Sequence, residues 1–191
     1  ASAGRVCFFG QDVRKYRRKE LRNQIGIVPQ KAVLFAGTVR ENMQWGKKDA
    51  TDEEIWEALK TAQAEEFIRA KEGGLDANIE QGGRNLSGGQ RQRLTIARAL
   101  VKKPRVLILD DSASALDYAT DAALRKAIRQ MEGAPTVFIV SQRTSSLMSA
   151  DRILVLDDGE ATGYGTHEEL LKNCQTYREI YNSQYGKKEE A

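Results

Sequence analysis

The chain is poor in the side chains that most often carry chemistry. Its 191 residues include one histidine, two cysteines and three prolines. Cys7 and Cys174 lie far apart in sequence and make no metal-type spacing, so a zinc site lacks its ligands and a reduced setting is the simplest reading. The single histidine, His167, sits in GTHEEL, where Thr166 and Glu169 form a capping box. It is expected at a solvent-exposed helix start, which leaves Ser/His/Asp catalysis without its base. No apolar run approaches the roughly 20 residues that span a bilayer. The opening ASAGRVCFFG has no basic n-region and no long apolar h-region, so it reads as mid-protein sequence rather than a signal peptide. Charge of one sign is also scarce. A net charge of +3 permits an acidic partner without requiring one. What remains is a chain 40% hydrophobic and 30% charged, long enough for one soluble globular domain with a sizeable core.

Hydrophobic period places the elements. RVCFF (5–9) reads as a short strand ending in the turn GQD, and RRKELRNQ (17–24) as a polar helix. IGIVPQ (25–30) reads as a buried strand stopped by Pro29. A helical block follows over about 31–99. Thr51 and Glu54 form a second capping box there, and Ile55, Trp56, Leu59 and Ala62 fall at core spacing. One long helix is expected from 88 to about 102. RVLILD (105–110) is too apolar to be half exposed and belongs inside a covered parallel sheet. TVFIVS (136–141) reads as another buried strand, and RILVLDDGEATGYG as a hairpin around Asp158-Gly159. Two helices close the chain, and GKKEEA is expected to be a frayed tail. Strands alternating with helices imply a layered α/β fold with a mostly parallel sheet. The helical block then reads as an inserted subdomain.

Two stretches carry chemistry. NLSGGQRQRLTIARAL (85–100) sets a serine and two glycines directly before an amphipathic helix. Glycines let backbone N–H groups approach an anion, and the helix adds its positive end. The plainer reading is an N-cap serine with turn glycines. Arg91, Arg93 and Arg98 read as the solvated face of this helix, with Leu94, Ile96, Ala97 and Leu100 on its packed side. No aromatic is interleaved among these arginines for base stacking, and no nucleic-acid partner is expected. The second stretch, VLILDD, ends a strand in Asp110 and Asp111. Ligands of open α/β sheets collect at such strand ends, and paired carboxylates suit Mg²⁺ and an oriented water. The plainer reading is a helix cap at a β–α turn.

The order of motifs decides between these readings. IVPQ with Gln30, LSGGQRQR, LILDD, SALD (114–117) and IVSQR (139–143) occur in series. The set resembles the ATP-binding domain of ABC transporters over nearly the whole chain. Gln30 falls on that family's Q-loop, 86–90 on its signature, 106–111 on Walker B, 114–117 on the D-loop and 138–143 on the switch region. VPQKAVLFAGTVRENMQWG, EQGGRNLSGGQ and GTHEEL resemble the exporter branch, whose membrane helices usually precede this domain in one polypeptide. The resemblance implies a P-loop NTPase-like core at 1–30 and 100–191, truncated at its N-terminus, around a helical subdomain at 31–99. It implies ATP and Mg²⁺ as ligands. Its partners would be a second ABC ATP-binding domain and a transmembrane domain, at the cytoplasmic face of a membrane.

Three departures matter. No G-x-x-x-x-G-K-[ST] occurs in 1–191, so the chain alone is expected to bind ATP weakly or not at all. Asp111 stands where the family usually has Glu, shorter by one bond of roughly 1.5 Å. Gln142 stands where the switch histidine is expected; it can donate a hydrogen bond but cannot titrate. In the family two such domains pair head to tail, each nucleotide lying between one domain's Walker motifs and the other's signature. The chain resembles the degenerate-site subunit of a heterodimeric exporter. Ser87, Gly88, Gly89 and Gln90 would complete the partner's ATP site, and Asp117 would cross the interface. Asp110, with Gln30, would hold Mg²⁺; Asp111 would face the attacking water and Gln142 the γ-phosphate. The alternative is a non-catalytic ABC-like interaction module that regulates a partner.

Overall fold

A computed structural model describes residues 3–112 and 114–186. They divide into two compact units, 1–138 and 139–191. The first unit opens on a hairpin of β1 (Cys7–Phe8) and β2 (Gln11–Asp12). Phe9 and Gly10 make its turn at φ 46° and 82°, as a two-residue primed turn requires. The strand expected over 5–9 is therefore shorter, because Phe9 already belongs to the turn. Tyr16 donates its hydroxyl to the Phe8 carbonyl at 3.0 Å and holds the hairpin. Helix α1 (Arg18–Asn23) then leads into β3 (Ile25–Val28).

The block after β3 is helical, as expected, around one short antiparallel pair, β4 (Gly37–Thr38) with β5 (Asn78–Ile79). Between these strands run α2 (Val39–Gln44), α3 (Asp52–Thr61) and α4 (Glu65–Arg69). The box of Thr51 and Glu54 starts α3, and a second box of Thr38 and Glu41 starts α2. Ile55, Leu59 and Ala62 are fully buried. Trp56 is only half-buried, with the Arg69 guanidinium 4.1 Å over its ring, so it roofs the core instead of filling it. Arg40 bonds Asp76 at 2.9 Å and also pairs with Asp52, tying α2 to the start of α3.

These ion pairs make a pH prediction. The Lys47 ammonium, then the Thr51 N–H, hold the Glu54 carboxyl below its usual range; Arg40 does the same for Asp76. Depressed carboxylates stabilise the fold above their unfolded pKa values, 4.5 and 3.8, and lose that contribution as pH falls through the lower folded values. The urea midpoint should be flat between neutral pH and about pH 5 and fall below about pH 4. A midpoint unchanged down to pH 3 would remove these pairs from the stability argument.

Helix α5 (Gly88–Leu100) packs on α2, α3 and β3. Leu94, Ile96, Ala97 and Leu100 are buried, as their spacing predicts. Strand β6 (Val106–Asp110) runs parallel to β3, with Ile25 opposite Val106 and Val28 opposite Leu109. Helix α6 (Tyr118–Arg129) follows, then β7 (Thr136–Val140), giving the sheet order β3-β6-β7. The Thr136 N–H donates to the Arg105 carbonyl at 2.9 Å. The sheet is covered on one face only among the described residues. Leu107 and Leu109 are buried, while Val106 and Ile108 are half-buried and Ile27 and Phe138 are 59% and 58% exposed. This corrects the expectation of fully buried strands. Runs apolar on both faces suit a two-sided cover, and only one layer is present among these residues.

The second unit contains the short helix α7 (Thr144–Leu147) and a hairpin of β8 (Ile153–Asp157) with β9 (Glu160–Gly165). Asp158 and Gly159 make its turn at φ 47° and 83°, where the sequence placed it. Helix α8 (His167–Asn173) starts at the Thr166–Glu169 box, and α9 (Gln175–Tyr185) follows. Ile153, Val155, Leu170, Cys174 and Tyr177 form the core of this unit. His167 is half-buried rather than free in solvent: its Nδ1 lies 2.8 Å from the Tyr177 hydroxyl. Of the tail expected to fray, 186–191, all but Gly186 lies outside the described residues. Among the described residues no helix is long and apolar enough to cross a membrane.

Candidate functional site

The carboxyl ends of β3 and β6 bring three of the expected residues together. Asp110 closes β6 and is exposed. Asp111 follows at φ 44°, a left-handed conformation that Asp tolerates better than most residues. Ser114 fixes this turn, donating to the Asp111 carbonyl from its hydroxyl at 2.8 Å and from its N–H at 3.3 Å. Gln30, just past β3, donates its amide to Asp111 Oδ2 at 3.4 Å. That bond leaves the carbonyl oxygen of the same amide as a hard donor. Among the described residues no three His, Cys, Asp or Glu side chains gather as a metal-binding set. Mg²⁺ needs no such set, since one or two carboxylates suffice when phosphate supplies further oxygens. Asp110 with Gln30 fits that description.

The second cluster is the start of α5. Ser87 is its N-cap: Oγ accepts from the Gln90 N–H at 3.2 Å, and Gln90 Oε1 accepts from the Ser87 N–H at 3.0 Å. The plainer reading of this serine is therefore correct, and it does not compete with the functional one. A hydroxyl that accepts from Gln90 keeps its single proton for another acceptor. Gly89 lies close to the segment 115–117, since a Cβ there would stand 3.3 Å from the Ala115 carbonyl. The start of α5 is thus a neighbour of Ala115 and Leu116 in this unit. Asp117 caps α6, accepting from the Thr120 N–H at 2.9 Å and hydroxyl at 2.7 Å. Those bonds, the hydroxyl's first, hold its carboxyl below the usual range.

Gln142 belongs to the second unit, where its side chain is exposed. Its carbonyl accepts from Gln184 Nε2 at 2.7 Å, and Gln184 Oε1 accepts from the Thr144 N–H and hydroxyl at 3.0 and 2.9 Å. Gln184 sits in α9, about 40 residues away in sequence, and no local signal marks it as the clamp of this loop.

The arginines of α5 differ from their expected solvated role. Arg91 donates to the Leu86 carbonyl at 2.8 Å, Arg93 to Gln63 at 2.6 Å and Arg98 to Val33 at 2.8 Å. Arg93 lies 4.7 Å over Phe67, and Arg98 lies 5.5 Å over Phe35. Burial pushes the pKa of both Arg93 and Arg98 down. Their long stems pack while their heads bond backbone oxygens. Beyond Arg98, Phe35 contacts Trp45 at 4.7 Å between ring centroids, and Trp45 is 69% exposed.

Comparison with known proteins identifies the family. The ABC transporter family profile matches residues 1–114. An uncharacterised ABC transporter ATP-binding protein of Mycobacterium bovis is 45% identical over 96% of the chain, which spans 32% of that relative. A probable multidrug resistance ABC transporter ATP-binding/permease protein of Bacillus subtilis is 45% identical over 95% of the chain and 31% of its own length. The structure of a bacterial Atm1-family ABC exporter with ATP bound superposes with a TM-score of 0.90 at 36% identity, covering 95% of this chain and 32% of that one. The chain thus spans about a third of the length of these relatives. The profile covers more than half of the chain and the superposition covers nearly all of it: the chain belongs to the ABC transporter family and has the fold of its ATP-binding domain.

Proposed function

We propose that this chain is part of the ATP-binding domain of an ABC exporter subunit whose own ATP site is catalytically impaired. Its Ser87 helix would complete the site of a second ATP-binding domain, paired head to tail as a heterodimer. The observation that carries this reading is the Ser87 cap. A 13-residue helix carries at its N-terminus two glycines and a serine hydroxyl whose proton the cap bond does not use, which an acceptor on another domain would take. Asp117 follows directly on Leu116 and would cross the interface.

At the chain's own half-site, Asp110 and the Gln30 carbonyl would hold Mg²⁺, whose charge would neutralise phosphate oxygens. Asp111 would orient the attacking water from a side chain one carbon short. Gln142 would donate to the γ-phosphate. Gln30, bonded to Asp111, would report the state of the site to a transmembrane domain. The exposed Trp45–Phe35 pair is the apolar surface we assign to that contact, which fits relatives named as ATP-binding/permease proteins. The complex would then work at the cytoplasmic face of a membrane, with 31–99 as the subdomain that carries the signature.

An ATP titration of the isolated 191-residue chain tests how well its own half-site holds nucleotide. The sequence offers no G-x-x-x-x-G-K-[ST] cradle, so the isothermal titration signal should stay unsaturated through the micromolar range. Saturable micromolar binding would overturn the expectation that this chain alone holds ATP weakly or not at all.

A further inference from the structure

We propose that Arg91 is a positioning residue for the partner's ATP site, holding the backbone immediately before Ser87 in its working shape. The inference rests on the reading that Ser87 serves a partner's nucleotide. Arg91 lies in the first turn of α5 and folds back. Its Nη1 donates to the carbonyls of Leu86, at 2.8 Å, and Gly83, at 3.4 Å. Leu86 is the residue directly before the cap serine. A charge-assisted bond from one turn inside the helix therefore fixes the peptide that aims Ser87.

Gly83 makes room for this arrangement. Its φ is +69°, and a Cβ there would stand 2.9 Å from both Arg91 Cγ and Cδ and 3.1 Å from Leu34 Cδ1. Two other anchors hold the same loop. Asn85 accepts from the Glu80 N–H at 3.1 Å and donates to the Asn78 carbonyl at 2.8 Å. The Gly82 N–H donates to the Leu34 carbonyl at 3.1 Å, in the segment that follows Gln30. The loop is thus held from three directions within this chain. Donors stabilise charge that develops in a transition state only when they need not reorganise as it develops. Both Arg91 bonds go to main-chain oxygens of the loop that leads into Ser87, so its contribution passes through that serine.

The test uses the full-length transporter with its partner and compares Arg91→Ala, Arg91→Lys and Ser87→Asp by ATPase kinetics and melting temperature. Arg91→Ala should lower kcat about tenfold, the kinetic equivalent of one charge-assisted hydrogen bond. KM for ATP should stay within about twofold, because the signature engages late. Arg91→Lys, which keeps one reaching donor, should fall between wild type and alanine. Wild-type kcat in Arg91→Ala, with Ser87→Asp impaired, overturns the positioning role. A raised KM at unchanged kcat overturns it too, since Arg91 would then bind nucleotide directly. Wild-type turnover in Ser87→Asp overturns the underlying reading instead. If Arg91→Ala shows no folded melting transition, Arg91→Lys carries the same comparison, and wild-type kcat there overturns the role.

Discussion

Ser87→Asp in the assembled transporter is expected to reduce turnover at the partner's ATP site by about 10²–10³-fold, the range found when one preorganised oxyanion donor is removed. Aspartate is the informative substitution because it separates two duties of one side chain. As an N-cap it can accept from the Gln90 N–H as the serine does, so α5 should start in the same place and the melting temperature should hold. As a ligand it has no proton to give, and it sets a negative charge against phosphate. Ser87→Thr keeps cap and donor and should retain most turnover, whereas Ser87→Ala loses both, with a cap cost of about 1 kcal/mol. Turnover that follows cap strength across the three variants, instead of the donor, would mean that Ser87 is only structural.

Asp111→Glu combined with Gln142→His should raise turnover at this chain's own site by about tenfold to a hundredfold, a part of the 10²–10⁴ that general-base catalysis supplies. Glutamate restores the missing reach of roughly 1.5 Å. Histidine restores a group that can both donate to phosphate and carry a proton. The gain should come with a loss of stability. Asp111 sits at φ 44°, and a longer side chain in the left-handed region costs about 1 kcal/mol more than Asp. Measuring the pair on a Ser87→Asp background silences the partner's site, so the remaining ATPase belongs to this one. Unchanged ATPase there would show that these two positions do not impair the site.

How much of this was readable in the sequence depends on how local the cause is. The boxes at Thr51 and Thr166, the Asp158-Gly159 hairpin and the buried stripe of α5 each rest on residues within a few positions of one another, and all are present. The motif series gave the fold family for the same reason. Arg91, Arg93 and Arg98 were read as solvated because a charge on a helix usually is; their carbonyl partners lie in loops whose approach no periodicity encodes. Gln184 reaches the Gln142 carbonyl from about 40 residues away, and the left-handed turn at Asp111 is held by Ser114 bonds that the aspartate alone does not announce. The apolar strands were expected to be covered on both faces. Their composition records what they are suited to meet, and the described residues supply one side of it.

That uncovered side governs how the isolated polypeptide behaves in a tube. Ile27 and Phe138 lie on strands whose backbone is already ordered, so burying them against another copy needs little further loss of chain entropy. Self-association should then compete in solution studies of the 191 residues alone, to an extent that rises with concentration. A nucleotide affinity measured for the isolated chain has meaning only below the concentration at which light scattering first detects assemblies.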